Sequence, residues 1–331
     1  MSKWFYPEPQ TSPTLTGVLL INLGTPAAPT AAAVRPFLRE FLSDQRVIEL
    51  PRWLWQLILR GVILPIRSGK SAQAYRSIWQ ENGSPLLTET QALTTALAQQ
   101  LPHDIVTKFA MTYGEPSVSS VIQQMKEAGV SKLVVLPLYP QYAASSSGAA
   151  LDQVWRVLLQ QRTQMAVQSI PSFFADPAYI KLMARHIRHF WQEHERGQRL
   201  LFSFHGIPLA HHTAGDDYVR QCQATVQLLA EELNLTKNEY QLAFQSRFGY
   251  APWVGPNTQD LFVQLPQAGV TKVDVICPGF VTDCLETLEE INIRGRADFL
   301  AHGGELFNYI PCMDATKEWV EVLFSVLKKQ W

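Results

Sequence analysis

The sequence predicts an α/β protein of two similar halves, each a parallel sheet flanked by helices, and three observations point there. Four short apolar runs, 17–23, 132–138, 200–204 and 272–277, each lead into small residues or proline. Continuous apolar runs of that length are strands buried on both faces of a parallel sheet. Segments of helical period at 89–101, 117–128, 177–195 and 217–234 lie between them, and alternation of strand and helix is the α/β pattern. The third observation is an internal repeat.

Ala128-Gly129-Val130-Ser131-Lys132 recurs as Ala268-Gly269-Val270-Thr271-Lys272, 140 positions on. Leu23-Gly24-Thr25-Pro26 has a counterpart in His205-Gly206-Ile207-Pro208, offset by 182, and Phe109–Gly114 resembles Phe244–Gly249, offset by 135. Landmarks in the same order imply a duplicated unit, with lobes at 1–172 and 173–331. The fall from 182 to 135 places about 47 extra residues after Pro26, an apolar insertion at about 27–80. Open α/β sheets bind ligands at the carboxyl ends of their strands, so an insertion there is a natural pocket wall.

Composition narrows the function. The 331 residues are 47% hydrophobic, enough for a large core, and 28 Lys plus Arg against 29 Asp plus Glu leave a net charge of −1. A chain this neutral lacks the positive field that holds nucleic acid. Only 17% of residues are charged while 11% are aromatic, which excludes disorder and reserves apolar surface for a flat ligand or a membrane. The start, Met1-Ser2-Lys3-Trp4-Phe5-Tyr6-Pro7, has no basic segment followed by an apolar run, so no secretory signal is expected. Cys222, Cys277, Cys284 and Cys312 form no C-x-x-C pair, so zinc-ribbon and iron–sulfur spacings are absent and a reducing cytoplasm fits. The run 51–66 is apolar but interrupted by Arg60, Gly61 and Pro65. It is too broken to span a bilayer and reads either as a half-buried helix or as a pocket lip facing a membrane. P-loop, dinucleotide and nucleophile-elbow glycine motifs do not occur.

Two places carry chemistry. His205 follows a buried strand, where a neutral imidazole can accept a proton or bind a borderline metal ion; a strand-end histidine is also a common structural residue. Asp283 reads as a helix N-cap with Glu286 as its capping-box partner. Glu286 and Glu290 also share a helical face at i, i+4, where paired carboxylates raise each other's proton affinity or share a cation. His186, His189 and His194 read as a solvated face, and His211 and His212 as loop residues.

Leu20-Ile21-Asn22-Leu23-Gly24-Thr25-Pro26, Leu138-Tyr139-Pro140-Gln141-Tyr142, Ser203-Phe204-His205-Gly206-Ile207-Pro208, Gln245-Ser246-Arg247-Phe248-Gly249 and Asp283-Cys284-Leu285-Glu286-Thr287-Leu288-Glu289-Glu290 together resemble the ferrochelatase family, proteobacterial members above all. That family inserts ferrous iron into protoporphyrin IX at the end of haem synthesis. The resemblance runs from about Gly17 to Lys328. It implies two Rossmann-like lobes of the chelatase type with a porphyrin cleft between them, and a lyase activity. It places the iron pair at His205 and Glu286, with His205 as proton acceptor or metal ligand and Glu290 continuing an acidic path. Leu23, Met111, Tyr113 and Tyr142 fall where members line the cleft, and Trp53 lies in the lip. Protoporphyrin IX and ferrous iron are then the substrates, and no tightly bound cofactor is expected.

Departures from the family pattern are local. Cys284 stands where animal members carry histidine, and Thr112 where some carry arginine. Ala143-Ala144 replaces a Ser-containing pair, and the C-terminal cysteines of the [2Fe–2S] members are missing. A cytoplasmic monomer is expected, touching the inner membrane peripherally through Trp53, Trp55, Leu57 and Ile58. Rivals of the same fold are a coproporphyrin or cobalt chelatase, and a rival of another class is a porphyrin or haem carrier.

Overall fold

The structure, a computed structural model, describes residues 15–249 and 251–329; the N-terminal stretch read for a targeting signal lies outside the described residues. Strands β1 (Leu15–Asn22), β2 (Ile105–Met111), β3 (Val130–Pro137) and β4 (Ala166–Ser169) form one sheet in the order β2-β1-β3-β4. Strands β5 (Arg199–His205), β6 (Tyr240–Gln245), β7 (Lys272–Ile276) and β8 (Leu306–Tyr309) form a second in the order β6-β5-β7-β8. Every ladder is parallel. The same order occurs twice, so the lobes are duplicates in topology. The four apolar runs are the central strands β1, β3, β5 and β7; the edge strands β2, β4, β6 and β8 carry more half-buried positions and do not read as such runs.

Strand registers test the repeat. Leu20 pairs with Leu136 and Phe202 with Ile276, which satisfies the offsets of 182 and 140 together. The third landmark does not hold that register: Leu20 pairs with Phe109, and Phe202 with Leu242 rather than Phe244. Matching hydrogen bonds run from Met111 N–H to the Pro116 carbonyl and from Phe244 N–H to the Pro256 carbonyl. Met111 therefore matches Phe244. The loop that follows is longer in the second lobe, so aligning glycines across it misplaces the strand by two residues. Gly24 and Gly206 keep one purpose in both lobes: a Cβ on Gly24 would stand 1.8 Å from the Tyr113 carbonyl, and one on Gly206 2.9 Å from that of Gln245.

The helices expected between strands are Pro85–Gln100, Val118–Glu127, Pro177–Glu193 and Tyr218–Leu233. Ser117 and Asp176 cap two of them by accepting from Ser120 N–H and Ala178 N–H. The insertion after Pro26 holds helix Ala31–Phe41 and a long run composed of Arg52–Ile58, a wider π-turn Leu59–Ile63, and Leu64–Ile78. The π-turn carries Gly61 and leads into Pro65, whose missing N–H an unbroken α-ladder would not accommodate. The run is half-buried: Leu59, Leu64, Ala72 and Tyr75 are buried, while Trp53 is 71% and Leu57 67% exposed.

The lobes meet through specific polar contacts. Gln141 Nε2 donates to Thr225 Oγ1 at 3.0 Å, Tyr142 N–H to Gln221 Oε1 at 2.8 Å, and Ala144 N–H to Asp216 Oδ2 at 2.8 Å. Asn22, at the end of β1, donates to Thr90 Oγ1 and to Thr282 Oγ1 ahead of the second lobe's acidic helix. The sheets lie on either side of residues 172–173. The C-terminal helix Lys317–Lys328 packs back across, burying Trp319, Leu323 and Leu327 in one core with Leu93 and Leu97.

Candidate functional site

His205 is the last residue of β5. Its Nδ1 lies 2.7 Å from the Gly206 carbonyl. A carbonyl only accepts, so Nδ1 carries the proton and the Nε2 lone pair is left for a proton or a metal ion. Gln245 pairs with His205 across the β5–β6 ladder, and its Nε2 donates to the backbone carbonyl of Glu286 at 2.7 Å. The strand end and the acidic helix are thereby joined.

That helix, Leu285–Gly295, is a π-helix, a wide turn often found at functional sites. Its cap is not the one expected. Asp283 N–H is drawn to Asp314 Oδ1 at 2.8 Å, so the helix starts one residue later, on Cys284. Thr287 completes the capping box by accepting from Cys284 N–H at 3.0 Å, and the Asp283 carboxylate accepts from Thr287 Oγ1 and the Tyr309 hydroxyl. Glu286 takes no part in the capping box; its carboxylate accepts from the Cys284 thiol instead. Glu290 is committed instead: it accepts from Ser246 N–H at 2.7 Å, Ser246 Oγ at 2.6 Å and Gln259 Nε2 at 2.5 Å. Ser246 has φ of 65°, and these bonds help hold that left-handed backbone.

Tyr75 from the lip helix, Tyr139 after β3, and Cys284 lie within electrostatic reach of Glu286. Burial first, and then the Glu286 charge, push all three groups up, so they stay protonated and face the carboxylate as neutral groups. Tyr75, Tyr139 and Gln245 were missed as site residues, although the Tyr-Pro-Gln-Tyr and Gln-Ser motifs contained two of them.

The expected lining residues divide. Leu23 touches two buried clusters, one with Tyr75, Tyr113 and the helix residues Leu285 and Leu288, the other with Met111, Leu86 and Cys284. Met111 is 0% and Tyr113 1% exposed, and the Tyr113 hydroxyl donates to Asp44 Oδ2 at 3.0 Å. The lip thus packs directly on the π-helix. Arg67 of the lip also lies 5.6 Å from the Phe248 ring of the second lobe. Tyr142 is half-buried, and Trp53 is on the lip's exposed stripe, outside these clusters.

Of the remaining histidines, His189 faces Glu193 on the surface and His194 stacks on Phe190. His186 is partly buried, its Nε2 donating to the Pro311 carbonyl at 2.9 Å, and burial lowers its pKa. His211 is not in a loop: it lies in the short helix Leu209–Thr213, buried beside Glu49.

Behind the cap, burial and then the Asp283 charge push the Asp314 carboxyl up to about 7. A carboxyl whose pKa is raised on folding stabilises the fold fully below its unfolded value of about 4 and loses that contribution as pH rises towards 7. Asp314→Asn keeps an oxygen for Asp283 N–H and removes the titration. Its melting temperature is expected to exceed the parent's at pH 8, with the gap closing towards pH 4; a pH-independent gap in thermal melts would contradict this.

A family model described as Ferrochelatase matches residues 15–331. The ferrochelatase of Neisseria meningitidis serogroup C is 52% identical over 328 residues, covering 98% of this chain and 97% of the relative. That of Chromobacterium violaceum is 50% identical over 317 residues, covering 95% and 87%. Among solved structures, SirB from Bacillus subtilis with Fe3+ superposes with a TM-score of 0.58 at 12% identity, over 96% of this chain and 95% of that one. CbiX, the terminal enzyme for biosynthesis of sirohaem in denitrifying bacteria, gives 0.54 at 13% identity over 95% and 99%. At such identity these two likenesses bear on the fold alone, which is that of chelatases.

Proposed function

The chain belongs to the ferrochelatase family and inserts ferrous iron into protoporphyrin for haem synthesis, and from that premise we propose that His205 and Glu286 are the residues that do it. The observation that carries the assignment is the fixed tautomer of His205, whose Nδ1 bond to Gly206 leaves Nε2 open beside a strand tied to the Glu286 turn.

Metallation replaces two pyrrole N–H protons by one Fe2+, and a planar macrocycle hides its nitrogen lone pairs. Apolar walls that bend the ring expose a nitrogen, and binding energy spent this way lowers the barrier. Leu23, Met111, Tyr113 and Tyr142 would supply the walls. His205 Nε2 accepts the two pyrrole protons one after the other, the first passing to solvent before the second, or holds the incoming iron, and Glu286 is its carboxylate partner. Imidazole and carboxylate both suit ferrous iron, and a pair of donors releases a substrate metal more readily than a closed four-ligand site. Glu290 anchors Ser246 and continues the carboxylate line one turn further. No resident cofactor enters the scheme.

We further propose that the enzyme works as a cytoplasmic monomer at the inner membrane face. Among the described residues no helix is long and apolar enough to cross a membrane. Trp53, Leu57, Val62 and Ile66 form an exposed stripe at helical spacing, flanked by Arg52, Arg60 and Lys70. Such a face suits an anionic lipid surface. The parent is expected to float with vesicles containing anionic phospholipid, and the double variant Trp53→Ser/Leu57→Ser to float several-fold less. Equal recovery of both in the vesicle fraction would count against lip contact.

The deciding experiment for the activity is anaerobic, with purified protein, protoporphyrin IX and ferrous iron followed by loss of porphyrin fluorescence. Multiple turnovers are expected. Porphyrin binding without turnover would indicate a carrier, and turnover only with coproporphyrin would change the substrate.

A further inference from the structure

Resting on the assignment of His205 and Glu286 above, we propose that Gln245 is a positioning residue of metal insertion: its side-chain amide fastens the Glu286 backbone to the strand beside His205 and thereby sets how far apart the two lie. Gln245 was visible in the sequence only as part of a motif with no duty. In the fold it is the last residue of β6, 0% exposed, and paired in register with His205.

Both ends of its amide are used. Oε1 accepts from Ser203 Oγ at 2.7 Å, and Ser203 Oγ shares a 2.8 Å bond with Thr258 Oγ1. Nε2 donates to the Glu286 carbonyl at 2.7 Å. The orientation of the amide is settled by chemistry, because a backbone carbonyl only accepts and the NH2 end must face it. A bridge therefore runs from β5 through Gln245 into the first turn of the π-helix. The next residue, Ser246, grips Glu290 one turn on through its N–H and hydroxyl. Two consecutive residues thus hold two of the helix's three carboxylate-bearing positions, Glu286 and Glu290.

The duplicated fold provides an internal comparison. Met111 N–H bonds to the Pro116 carbonyl as Phe244 N–H bonds to that of Pro256, so Thr112 occupies in the first lobe the place of Gln245 in the second. The Thr112 hydroxyl bonds to the Asn22 carbonyl of the adjacent strand at 3.1 Å and stays within its own sheet. A short side chain therefore suffices for this position in the fold. The second lobe places there an amide long enough to reach the helix that carries Glu286. Since a misplacement of about 1 Å at a reacting group can cost about 10²-fold in rate, a tether at this point acts on catalysis.

Gln245→Met keeps the volume and removes both polar ends; Gln245→Asn keeps them one methylene short. For Gln245→Met, kcat/KM for ferrous iron is expected to fall about 10²-fold, with KM for protoporphyrin and its fluorescence-titrated Kd within about twofold of the parent's. Gln245→Asn is expected to fall between the two in the iron parameters alone. A folded Gln245→Met with parental iron kinetics would overturn the proposal, and so would equal losses towards iron and porphyrin, the pattern of a general packing defect. If Gln245→Met does not fold, Gln245→Asn decides by the same split. Glu286→Gln separates the premise: full activity there removes the metal pair itself, whereas an inactive Glu286→Gln beside a fully active Gln245→Met removes only the tether.

Discussion

Glu286→Gln is expected to lose metallation by roughly 10²–10³-fold, the scale for removing one charge-stabilising donor from a site, while binding protoporphyrin as the parent does. The side chain keeps its length and loses its charge, so the effect isolates the carboxylate. In the structure Glu286 has no part in the helix cap, a duty taken by Cys284 and Thr287. Its substitution therefore leaves the helix start intact, and the far-ultraviolet circular dichroism should be unchanged. Anaerobic turnover measured by fluorescence loss, alongside porphyrin titration, reads both halves of the expectation. A variant that still turned over at the parental rate would remove Glu286 from the reaction. Weakened porphyrin binding in step with lost turnover would make it a wall residue instead.

His205→Ala should be at least as severe, because it deletes the nitrogen donor outright. The imidazole makes one hydrogen bond, Nδ1–H to the Gly206 carbonyl, and His205 itself is half-buried. The fold should therefore persist, with a melting temperature near the parent's. Turnover is expected below about one hundredth of the parental rate, with protoporphyrin still bound. Full turnover in the same assay would end the assignment of His205 to either role, base or ligand.

The central strands and the edges explain what was legible. β1, β3, β5 and β7 are buried on both faces and read as continuous apolar runs, whereas the edge strand β2, with Thr107 and Lys108, and the four-residue β4 and β8 do not. The repeat was legible where landmarks flank the central strands and slipped by two residues where a loop of different length intervened. His205 stands at the strand end where its motif placed it, as the last residue of β5, and Glu286 lies in the first turn of the π-helix. The cap was misassigned by one residue because the group that draws Asp283 away, Asp314, lies 31 positions further on.

The sequence by itself determined the fold class, the duplication and the family, along with the residues proposed to carry the chemistry, since each is written in local pattern: apolar run length, helical period and contiguous motifs. Only the tertiary structure decided that Glu290 is clamped by Ser246 and Gln259, that Gln245 joins Glu286 to the His205 strand from 41 positions away, and that Tyr75 of the lip lies within electrostatic reach of Glu286. These depend on where hydrogen-bond donors and apolar faces distant along the chain meet, and no local pattern encodes such a meeting.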